Sequence, residues 1–148
     1  MKKIRLFTMG FTKKSAEQFF TKLSEAGVNH VLDIRLNNVS QLAGFAKRDD
    51  LKYFLKTLCQ IDYRHLPELA PTKDIMEEFK KKKGDWSVYE TKFKALLSER
   101  RPEKSISRKM LNQGCLLCSE DKPENCHRRL VAEYFREKWG DVEIIHIP

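Results

Sequence analysis

The chain has 148 residues, 41% hydrophobic and 34% charged with both signs mixed, which is the size of one ordinary domain and excludes wholesale disorder. Six glycines and five prolines exclude collagen-like and linker-like chains, and no apolar run approaches the roughly 20 residues of a membrane span. Lysine and arginine outnumber aspartate and glutamate by 29 to 21, so the formal charge of +8 favours anionic partners: nucleic acid, nucleotides or other phosphorylated molecules. A lysine-rich surface serving only solubility is the competing reading of the same excess. Arg5 interrupts the N-terminal apolar stretch, so no signal peptide is expected. A cytoplasmic location without membrane contact follows, in which Cys59, Cys115, Cys118 and Cys126 are expected to be reduced.

Residues 4–8 read as a first strand ending at Met9 and Gly10. Ser15 with Gln18 forms a capping-box pattern, and the stripe Phe19, Phe20 and Leu23 predicts a helix stopped by Gly27. Residues 28–35 follow as a second strand. Leu51, Phe54, Leu55 and Leu58 recur at helical spacing, with Asp49 or Asp50 as the expected cap. Residues 61–66 predict a third strand ended by Pro67, and a short charged helix falls within residues 71–84. Trp86, Tyr89, Phe93, Leu96 and Leu97 share one face of a further helix that stops near Pro102. Residues 103–113 are weakly helical, residues 114–118 form an apolar fourth strand, residues 125–139 a helix stopped by Gly140, and residues 142–147 a fifth strand.

This alternation predicts a single α/β domain over residues 1–148: a Rossmann-like, three-layer arrangement with a mainly parallel sheet of about five strands and helices on both faces. Ligands of such sheets sit beyond the carboxyl ends of the strands. Attention therefore falls on the loops holding Thr8 to Phe11, Asp33 to Ser40, Arg64 to Pro71 and Ser119 to Arg128.

The densest polar cluster joins the fourth strand to the helix after it, from Cys118 and Glu120 to Cys126, His127, Arg128 and Arg129. A helix N-terminus attracts anions, so two arginines in its first turn oppose the dipole unless an anion balances them. That anion is either a ligand or an internal carboxylate such as Glu120 or Glu124. Cys126 and His127 continue the inward stripe of Leu130 and Val131, so His127 is either a hydrogen-bonded core residue or a proton carrier. Asp33 and Arg35 lie on one face of the second strand's end, where Asp33 either orients Arg35 for an oxyanion or closes the strand as a salt bridge. Tyr63 and His65 likewise share a face and either line a pocket or pack under the loop.

Cys115 and Cys118 have zinc-ligand spacing, but strand alternation points them to opposite faces, so no metal is expected. Cys118 and Cys126 are the alternative pairing, as a redox couple. Glu124 stands where a phosphatase loop would need arginine, six positions after Cys118.

Three segments in this order resemble the domain of unknown function 488 family: Thr8-Met9-Gly10-Phe11, Asp33-Ile34-Arg35 followed by Ser40, and Leu116-Leu117-Cys118-Ser119-Glu120 running to Cys126-His127-Arg128. The chain departs from many relatives at Asn37-Asn38-Val39, where they carry a proline, and at Leu69-Ala70-Pro71-Thr72, where they carry a glycine pair. The resemblance implies an α/β fold and a shared polar site, but no reaction. From the residues, the leading expectation is a small enzyme acting on a phosphate-bearing small molecule, a nucleotide or a nucleic-acid fragment, without a cofactor. Its catalytic candidates are Glu120, His127 and Asp33, and its ligand-binding candidates are Arg35, Ser40, Tyr63, Cys118, Cys126 and Arg128. A non-catalytic nucleic-acid or nucleotide-binding module and a scaffold with an internal polar brace are the alternatives.

Overall fold

The computed structural model describes residues 3–38, 44–80, 85–119 and 126–148. Five strands form one all-parallel sheet: β1 (Ile4–Gly10), β2 (His30–Asp33), β3 (Asp62–His65), β4 (Gly114–Cys118) and β5 (Val142–His146). Their spatial order is β3-β2-β4-β1-β5, so β4 lies centrally between β2 and β1 while β3 and β5 are the edges. Every carboxyl end therefore points the same way, and the loops after the strands gather at one rim.

The period-2 alternation of each strand divides its side chains between two apolar layers. Leu6, Leu32 and Leu116 face one side, where they pack with Phe93, Leu97, Leu130 and Phe135. Phe7, Met9, Val31 and Leu117 face the other, with Phe19, Leu23, Leu51 and Leu55. Helices α1 (Ala16–Ala26) and α2 (Arg48–Phe54) supply the second layer; α3 (Lys73–Lys80), α4 (Trp86–Arg100), α5 (Arg108–Leu111) and α6 (His127–Trp139) lie with the first. Each leucine or phenylalanine buried in this way contributes about 1.5–3 kcal/mol. All five residues of the central strand are buried because both of its faces are covered, which is why its sequence lacks polar alternation.

Local chemistry sets most helix ends. The Ser15 side chain accepts from Gln18 N while the Gln18 side chain accepts from Ser15 N, and Gly27 ends α1 at φ +79°. Asp85 caps α4. At Gly114 a Cβ would lie 2.9 Å from Leu32 Cδ1 and 3.1 Å from two carbonyl oxygens, so glycine there lets α5 approach the sheet.

Two expectations are corrected in the second helix. Its N-cap is Lys47, without a side-chain cap bond, and Asp49 and Asp50 occupy the first turn, where they suit the dipole. Leu58 is 62% exposed instead of buried. The helix widens into a π-helical turn over Leu55–Cys59. With i→i+5 bonding each residue turns through a smaller angle, and Leu58 falls short of the inward stripe. Among the described residues no helix is long and apolar enough to cross a membrane.

Candidate functional site

The carboxyl end of β2 carries a buried polar network. Asp33 is fully buried and aligned with His65 of β3 and Leu117 of β4. Arg35, two residues on and only 3% exposed, turns back onto it: Nε donates to Asp33 Oδ1 at 2.8 Å and Nη2 to Oδ2 at 2.7 Å. This two-pronged pairing fixes the plane of the guanidinium. Asp33 also accepts from the Arg35 backbone N–H at 3.2 Å, the Tyr63 hydroxyl at 2.5 Å and Asn38 Nδ2 at 3.4 Å. Five donors on one carboxylate exhaust its acceptor sites. The third guanidinium nitrogen, Arg35 Nη1, is buried and has no hydrogen-bond partner among the described residues.

Around this pair the surroundings are half apolar. The Phe11 ring centroid lies 5.3 Å from Arg35 Cζ, a cation–π contact. His65 Nε2 donates to the Arg35 carbonyl oxygen at 2.9 Å and so ties β3 to the segment leaving β2. Burial, reinforced by the neighbouring Asp33 carboxylate, pushes the Tyr63 phenol well above its ordinary range. Tyr63 therefore remains a neutral donor at physiological pH.

A second group stands at the same rim on the other side of the sheet. Cys126 is the N-cap of α6, and His127 Nε2 donates to the Ile34 carbonyl oxygen at 2.7 Å while its ring meets Phe93 edge-on at 5.6 Å. Arg128 is fully buried, with Nη1 3.1 Å from Cys118 Sγ. Cys118 and Cys126 are placed as a pair with their sulfurs in contact, the alternative pairing of the sequence reading. The strand end and the helix N-cap bring the two residues together across the loop between them. Cys59 and Cys115 are free thiols, and burial pushes Cys115 up to about 12, so it is inert as a nucleophile.

Cys115 and Cys118 do face opposite layers, as alternation requires. The potential metal ligands that the structure groups are a different set: Cys118, Cys126 and His127, with donor atoms within 4.8 Å of one another. As a disulfide the two sulfurs offer no thiolate; reduced, they would give, with His127, three donors suited to a soft metal ion.

The candidates thus meet at one rim in two halves. Asp33, Arg35 and Tyr63 form one connected network on the side of α1 and α2. Cys118, Cys126, His127 and Arg128 form another on the side of α4 and α6, and the His127 bond to Ile34 joins them through the backbone. The neighbour Arg129 is balanced internally, by Glu90 at 2.9 Å and Glu133 at 3.1 Å. Ser40 and Glu120 lie outside the described residues. Two contributors were placed in rim loops by the sequence but not named as candidate site residues. Asn38, 5% exposed, bridges Asp33 and Tyr63, with its Nδ2 3.1 Å from the Tyr63 hydroxyl. Phe11 lies under Arg35. The signal for Asn38 was its place three residues after Arg35 in a rim loop, and that for Phe11 its place in the loop after the first strand.

No curated protein and no solved structure matches the chain. Its affiliation rests instead on the length over which a family model fits: residues 15–135 match the family described as Domain of unknown function DUF488, spanning β2, β3, β4 and both halves of the rim, and the chain belongs to that family.

Proposed function

We propose that the chain binds a phosphate-bearing ligand, a nucleotide or nucleic-acid fragment, at the rim beside Arg35, and acts on it as a small enzyme. The observation that carries this reading is Arg35 Nη1, a buried cationic N–H group without an acceptor among the described residues, on a guanidinium whose plane Asp33 fixes. A buried donor left without a partner costs free energy, more so when it is charged, and an anionic oxygen would satisfy it. Asp33 is then the orienting group and Tyr63 a neutral donor in the second rank. Glu120, two residues beyond β4, is the proton-transfer group in this proposal, with His127 as the alternative. The fully engaged Asp33 carboxylate supports the rival reading, a brace that closes the strand end and binds nothing.

Thermal unfolding with and without inorganic phosphate and a panel of nucleotides separates them. A ligand at 100 times its dissociation constant should add about 2.7 kcal/mol to wild type. Arg35→Lys, which keeps the charge and loses the fork, should remain folded and lose most of that gain. If no phosphate compound raises the wild-type midpoint, the pair is a brace and the proposal fails. For a ligand that does bind and turn over, Glu120→Gln should lower turnover by about 10²-fold with folding intact; unchanged turnover removes Glu120 from the mechanism.

A further inference from the structure

Around the β3 edge of the sheet lies an open cavity of about 570 Å³. It belongs to neither half of the rim network, although Tyr63 contributes to both. Four exposed cations border it from four elements: Lys52 of α2, Lys56 of the π-helical turn, Arg64 of β3 and Lys109 of α5. Lys52 and Lys56 are four residues apart and share a helix side, and Arg64 is set beside Leu32 of β2 by strand register. His30 also lines the cavity. Asp62 is the carboxylate there, and Lys56 Nζ lies 3.4 Å from its Oδ1, so three cations are not matched by an acidic side chain of the cavity wall.

We infer that this cavity holds the sugar–phosphate backbone of single-stranded nucleic acid leading to the rim. The inference extends the reading of an Arg35 anion site by naming its ligand as a polynucleotide instead of a free nucleotide. Three features select this occupant. The cations surround a concavity, which admits a flexible strand; a duplex is read by a projecting helix or ribbon entering its groove. An aromatic side chain accompanies the charge: half-buried Tyr63 lies in the wall. Such rings are platforms for bases between phosphate contacts. Finally, Tyr63 connects the cavity to the site, since its hydroxyl donates to Asp33. An acidic peptide would use the charges but not the Tyr63 ring.

The test is fluorescence anisotropy of a labelled oligothymidylate of about ten nucleotides across a salt series, beside a polyglutamate peptide of equal charge. Neutralising three to four phosphates on a single strand gives a slope of log K against log salt of about −2 to −3. Lys52→Gln/Lys56→Gln/Arg64→Gln/Lys109→Gln should bind at least about tenfold more weakly at low salt, with the slope near zero. All four positions are exposed, so folding should survive. Lys52→Gln/Lys56→Gln and Arg64→Gln/Lys109→Gln, each expected to lose about half of the slope, serve if the quadruple variant does not fold. Equal binding by wild type and the variants overturns the inference, as does absence of oligonucleotide binding or polyglutamate binding as tightly as the oligonucleotide. The phosphate-dependent melting shift separates the two readings. If it persists while oligonucleotide binding is absent, only the cavity inference falls; if it is absent while binding depends on the four cations, only the Arg35 site falls.

Discussion

Arg35 and Arg129 are both arginines near a strand or helix end, and both face carboxylates, yet they are held in opposite ways. Arg129 spreads its two terminal nitrogens over Glu90 and Glu133, three partly exposed side chains that together link α4 to α6. Arg35 is enclosed, meets a single carboxylate through Nε and Nη2, and keeps Nη1 without a partner among the described residues. Arg129 thus engages its terminal donors with the protein, and the donor that Arg35 keeps is the one the proposed ligand would meet. Solvent makes the first arrangement weak and replaceable; enclosure makes the second costly to disturb.

The sharpest way to break this comparison is to remove the carboxylate. Asp33→Ala would leave the Arg35 charge buried without its partner and should lower stability by about 3–5 kcal/mol in urea titration. A loss below about 1 kcal/mol would mean that solvent reaches Arg35 and that it resembles Arg129 after all.

Tyr63→Phe is the next largest change, because it deletes one hydrogen bond to a charged group, worth about 1.5–3 kcal/mol. It also has a signature in pH. The folded-state value of Tyr63 is raised above the ordinary 10.0, so its stabilising contribution is complete below that pH and is lost as pH rises. Above pH ~10 the unfolded chain releases a proton that the folded chain keeps, and stability should fall by about 1.4 kcal/mol per pH unit for this group. Tyr63→Phe should flatten that alkaline limb without abolishing it, since Tyr134 is shifted the same way by burial and by Glu103. An unchanged limb would place Tyr63 outside the Asp33 network.

The smallest effect belongs to Arg129→Gln, at most about 1 kcal/mol near neutral pH. The hydrogen bond from Arg129 holds Glu90 below its ordinary value of 4.5. That contribution is therefore present above this pH and lost as pH falls through the depressed folded value. The variant should lose part of its acid sensitivity below about pH 4.5. A destabilisation as large as that of Asp33→Ala would show that exposure does not distinguish the two arginines.

Much of the architecture was legible because local rules and burial agreed. The capping box at Ser15, the glycine stop at Gly27 and the unbroken apolar run of β4 each have one physical reading, and each is found where it was expected. The second helix was less legible, since its leucine spacing assumed uniform α-helical rotation and the π-helical turn breaks it at Leu58. Among the site residues, Asp33 with Arg35 could be paired from strand alternation alone. Cys118 with Cys126 remained one of several pairings, because a sequence states loop length but not how a loop closes.

By itself the sequence determined the fold class and the rim, since hydrophobic period and turn chemistry act over a few residues and do not depend on the rest of the chain. It also determined which charged residues would stand at strand ends. The tertiary structure decided how those charges are shared. Strand order sets β2 between β3 and β4, and this brings Tyr63 and His65 onto the Asp33–Arg35 segment and His127 onto Ile34. The same order divides the rim into two halves, one on each side of the sheet. Arg35 meets Asp33 two residues away, whereas Arg129 meets Glu90 39 residues away, and only packing brings so distant a partner within hydrogen-bond range.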